Sequence, residues 1–99
     1  MRGPTIGERV HRLAVELLFT DSLYDLMSLW NLYGRMVMFD YELLNKFSES
    51  EIAVSVLWTS IAVYEERFKR RVRFEGLYER LYELSGVEPK NIAKCIGAV

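Results

Sequence analysis

Glutamine is missing from this chain, and histidine and cysteine occur once each, as His11 and Cys95. A lone cysteine excludes an intramolecular disulfide and suits a reducing compartment, so the expectation is a cytoplasmic protein with Cys95 as a small buried hydrophobe. The spaced Cys and His ligands of a zinc module are lacking, and the six glycines stand singly rather than as a phosphate-cradling loop. A nucleophile and base would have to be Cys95 and His11, and no spacing argues that they meet. His11 falls at the margin of an apolar stripe, where an edge or surface histidine is expected. Asp21 and Asp25 are one turn apart, yet no histidine stands at ligand spacing from them, and acids in a first turn are accounted for by the helix dipole. The expectation is a protein that is not an enzyme and uses no cofactor or metal.

Charge of one sign is not in excess either. Thirteen Lys plus Arg face fourteen Asp plus Glu, a formal net charge of −1, so any pull on nucleic acid or acidic lipid must come from a local patch. The longest uncharged run, Ile52 to Tyr64, has thirteen residues, whereas a membrane span needs about twenty; it reads as a buried helix segment. Arg9, Arg12 and Glu16 interrupt the first apolar stretch, so a leader peptide is not expected. With nine Arg against four Lys and only three Asn, the composition leans towards a thermophilic source, with four Met pulling mildly the other way.

What is present is enough for one folded domain over residues 1–99, at 51% hydrophobic and 27% charged residues. Ile6, Val10, Leu13, Ala14, Leu17 and Leu18 recur at helical spacing, with Glu8, Arg12 and Glu16 opposite. Thr20, Asp21 and Ser22 are capping residue types, and a second helix is expected from about Asp21 to Phe47. Leu23, Leu26, Met27, Trp30, Tyr33, Val37, Tyr41 and Leu44 form one stripe on it; Leu29, Leu32, Met36, Phe39, Leu43 and Phe47 form another, about 110° away. Such a helix would be about 40 Å long in a molecule roughly 33 Å across, so a bend near Gly34 or a protruding end is expected.

Ser48 and Glu51 stand in capping-box relation, with Phe47 and Ile52 at the two positions of a hydrophobic staple, so a third helix begins after Ser48. Its inner face should be Ala53, Leu57, Ile61, Tyr64, Phe68 and Val72, flanked by Val54, Val56, Trp58 and Val63. The stripe then jumps from Val72 to Phe74 before resuming at Leu77, Leu81 and Leu84, which calls for a kink near Gly76 or for two halves facing different partners. Leu84, Ser85 and Gly86 read as a stop, and Pro89 as the first turn of a short helix holding Ile92, Cys95 and Ile96. The fold class is all-α: a helical bundle of three main helices plus one or two short C-terminal helices.

Two functional readings follow. Helices two and three carry apolar surface over most of their circumference, more than helix one and the short C-terminal pieces can cover, which points to an interaction or assembly module, a homodimer with two-fold symmetry. Trp30, Tyr33, Met36, Phe39 and Leu43 are the candidate interface, with Met36, Phe39 and Leu43 at its centre. The competing reading is a nucleic-acid-binding accessory protein that grips phosphates through Arg67, Lys69, Arg70, Arg71 and Arg73 on a basic helix segment. Against it, Glu65 with Lys69, Glu66 with Arg70 and Arg71 with Glu75 are one-turn pairs of opposite sign, as on a solvated helix face. Phe68 and Val72 are the members of that stretch expected to be well buried.

Overall fold

The structure is a computed structural model that describes residues 6–17, 23–38, 41–73 and 75–98. Among the described residues there are six helices: α1 (Ile6–Leu17), α2 (Leu23–Met38), α3 (Tyr41–Lys46), α4 (Glu49–Phe68), α5 (Leu77–Ser85) and α6 (Pro89–Ala98). The all-α expectation holds. The Cα radius of gyration is 12.6 Å with extents of 34 × 27 × 25 Å, the size expected of a compact domain of this length.

The centre of the molecule is α4. Six consecutive residues, Ile52 to Leu57, are buried, followed by Ser60, Ile61 and Tyr64. A helix apolar on all sides has no wet face to offer and must be sheathed; α1, α2, α5 and α6 supply the sheath. Its two buried hydroxyls are satisfied inside the helix: Ser55 Oγ donates to the Glu51 carbonyl at 2.8 Å and Ser60 Oγ to the Val56 carbonyl at 2.7 Å. Neither serine therefore carries an unpaired polar group into the core.

The start of α4 forms as its sequence dictates. Ser48 has extended backbone angles (φ −72°, ψ 161°); its Oγ accepts the Glu51 N–H at 3.2 Å, and its own N–H donates to Glu51 Oε1 at 3.0 Å. Phe47 packs against the core in which Ile52 is buried. Arg9 on α1 reaches Glu49 in the first turn at 3.0 Å, tying the two helices at their edge.

Of the expected second helix, residues 23–38 form α2 and residues 41–46 form α3, while Phe39 and Asp40 lie outside the described residues; Gly34 lies within α2, helical and buried. A helix interior costs glycine about 1 kcal/mol in propensity, too little to break it when the neighbouring turns are packed. The first stripe of α2 faces inward: Leu26, Trp30 and Val37 are buried, and Met27 and Tyr33 pack partly on the core. On the second stripe Leu29 is buried, while Leu32 and Met36 are 46% and 60% exposed.

The third predicted helix stops early. Lys69 takes left-handed angles (φ 55°, ψ 37°) and ends α4, so residues 69–73 are a loop rather than further helix. The expectation that Phe68 is well buried is overturned: it is 47% exposed, because the chain turns away one residue later. Val72 is half-buried against the core from the loop side. Gly76 (φ 89°) precedes α5 and Gly86 (φ 75°) ends it, donating its N–H to the Tyr82 carbonyl at 2.8 Å; both positions need the left-handed region that glycine enters at no steric cost. Ser85 Oγ donates to the Leu81 carbonyl at 2.6 Å and accepts the Val87 N–H at 3.1 Å, which closes the turn into α6.

Candidate functional site

The basic cluster is placed by one carboxylate. Glu65, on the last full turn of α4, accepts the backbone N–H groups of Val72 and Arg73 at 2.7 and 2.9 Å, and Arg73 Nε at 2.6 Å. Its side chain is 12% exposed. Burial pushes the Glu65 carboxyl up, but the hydrogen bonds from Arg73 and Val72, together with the Arg73 guanidinium, outweigh that and hold it below the ordinary carboxylate value. Arg73 also lies over the Trp58 ring, 5.5 Å from its centroid. The one-turn pairing of Glu65 with Lys69 is thereby corrected: the loop folds back and brings position 73, not 69, to the carboxylate. With Lys69 to Arg73 outside the helix, the cluster is not a helical face, and the pairs of Glu66 with Arg70 and Arg71 with Glu75 lose their helical geometry.

What the clasp leaves outside is a set of cations. Arg67, Lys69, Arg70 and Arg71 are all exposed, and among the described residues none of them takes part in an ion pair. A wide groove of about 860 Å³ runs beside the loop, bounded by Trp58, Arg70, Arg71 and Arg73 and, towards α5, by Glu75 and Glu79. Phe68 stands at the same end of α4, one face stacked on Tyr64 at 4.7 Å between centroids.

The candidate apolar interface separates into parts. Trp30 is 1% exposed and belongs to the core, so it is corrected out of any surface set; Tyr33 is partly buried against that core. Met36 is on the surface together with Leu32, one turn away, and Tyr24, which is 79% exposed. Phe39 and the side chain of Leu43 lie outside the described residues. Leu32 and Tyr24 were the members of this face that the sequence reading did not choose, although Leu32 shares the second stripe with Met36.

The groups read for chemistry are dispersed. His11 is exposed with its ring edge-on to Trp30 at 6.0 Å, whereas Cys95 is buried on α6; burial pushes its thiol up, partly offset by the Ser55 side chain beside it. Asp25 is exposed, and Asp21 lies outside the described residues. A second cavity, of about 250 Å³, separates α1 from the start of α4 and the end of α5, with Arg9, Arg12, Glu16, Ser50 and Ser85 on its walls; Arg9 Nε is buried there without a hydrogen-bond partner. Among the described residues no helix is long and apolar enough to cross a membrane. Comparison of the chain with protein families, with curated proteins and with solved structures finds no match.

Proposed function

We propose that the protein is a non-enzymatic helical interaction module that pairs with a second copy of itself through the outer face of α2. One observation carries the reading: among the described residues Tyr24, Leu32 and Met36 are the large apolar side chains of α2 left in water, and they lie on one arc of the helix, about 120° wide at 100° per residue. Ser28 and Arg35 occupy the same arc and Asn31 borders it, a mixture of apolar anchors and polar rim that suits a solvent-facing contact surface. A two-fold contact needs only one self-complementary patch, and two antiparallel copies of α2 would set Leu32 and Met36 of one against those of the other.

The test is the oligomeric state. Sedimentation equilibrium of the wild-type protein at micromolar concentration should show a dimer, and Met36→Glu should return it to monomer by forcing a charge into the apolar contact. Because Met36 is on the surface, this variant should keep its helical circular dichroism. A wild-type protein that stays monomeric at high micromolar concentration rejects self-pairing.

A further inference from the structure

We propose that the loop after α4 is a binding site for single-stranded nucleic acid, independent of the apolar face on α2. Three features of the loop converge. The first is a fixed course. The two backbone bonds and the guanidinium bond to Glu65 hold residues 72 and 73 against α4, so the residues before them are a tethered arch rather than a free tail, and less ordering entropy is lost when a ligand binds.

The second is unspent charge. Arg67 and Lys69 sit where the negative end of the α4 dipole favours cations, and that alone accounts for them. Arg70 and Arg71 lie past the last turn of the helix, where the dipole has fallen off, and none of these four is in an ion pair among the described residues. Arginine presents a planar fork of donors that matches phosphate oxygens two at a time.

The third is an aromatic ring at the same place. Phe68 is 47% exposed at the foot of the loop, with one face held flat by Tyr64 at 4.7 Å and an interplanar angle of 28°. A ring fixed on one side and open to water on the other is a stacking platform for an unpaired base, and cations beside it match the phosphates that flank that base. Glu75 and Glu79 also line the groove and repel a phosphate chain there, so the strand runs over the exposed cations of the loop and not deep into the groove. An acidic polypeptide would use the cations equally well but has no base to place on Phe68.

Fluorescence anisotropy of the full chain with labelled 20-nucleotide oligouridylate, the same length of duplex and polyglutamate tests this. Binding of the single strand should weaken with salt at a log–log slope of about −2 to −3, the value for three to four phosphate contacts. Arg70→Gln with Arg71→Gln should lower the affinity at least tenfold, and Phe68→Leu about fivefold, with circular dichroism unchanged in both. Arg73 is left in place because it holds the clasp. No salt-sensitive binding of the single strand, or equal affinity in the double variant, overturns the site. Polyglutamate bound as tightly as oligouridylate makes an acidic protein the ligand and overturns the nucleic-acid assignment. Duplex bound as tightly as single strand, or an unchanged Phe68→Leu, removes the stacking platform.

Discussion

Glu65 shows how much of the local structure can hang on one side chain. Its carboxylate receives three donors from residues seven and eight positions ahead, so it determines where the chain goes after α4. Because its folded-state pKa lies below the ordinary value, the clasp contributes its full stability above the unfolded carboxylate pKa and loses it as pH falls through the folded value. Glu65→Gln should cost about 1–2 kcal/mol at neutral pH, towards the lower figure because Arg73 is 44% exposed and solvent screens the pair. Urea unfolding at a series of pH values should show the gap between wild type and variant closing in acid; a gap independent of pH would mean that the charge of Glu65 is not what matters. This clasp was not legible in the sequence. One-turn spacing assigned Glu65 to Lys69, a rule that holds only while the helix continues, and the left-handed turn that ends it sits on a lysine instead of the glycine that usually marks such a position.

At the scale of the element, the boundary most easily read was the start of α4, where four residue types in fixed register each supply a capping or stapling group. Ser48→Ala should lower stability by about 1 kcal/mol through loss of the cap, measured by chemical denaturation; an unchanged midpoint would show that tertiary packing alone holds the first turn. The thirteen-residue uncharged run correctly foretold a buried helix, since a segment without a polar face has no other stable place. The left-handed stop at Gly86 and the first turn at Pro89 were equally plain, because each residue's backbone freedom is itself the signal. Apolar stripes run through residues 23–47 without a change of period, and the helical residues 23–38 and 41–46 follow that pattern. The end of α4 was not legible, since periodicity reports which face is greasy and not where hydrogen bonding stops.

For the whole molecule, the surplus apolar surface expected from the separate helices is largely consumed by putting α4 in the middle, a choice no single-helix pattern can reveal. Two stripes on α2 look like one too many; the inner one packs on the core, and among the described residues Leu32 and Met36 are the members of the other left exposed. The basic cluster was visible as a composition, but its arrangement as a clasped loop needed the third dimension. Central placement of α4 also has a kinetic corollary. Since α1, α2, α5 and α6 all rest on it, the buried residues of α4 from Ile52 to Leu57, with Ser60 and Ile61, cannot meet water while its neighbours stay folded, so the amide protons of that stretch should exchange with deuterium only through global unfolding. The six-residue α3 should exchange far sooner, through local opening. Mass-resolved exchange would display this as one slow peptide in mid-chain, and a fast-exchanging α4 would mean that the sheath parts while the rest of the protein stays folded.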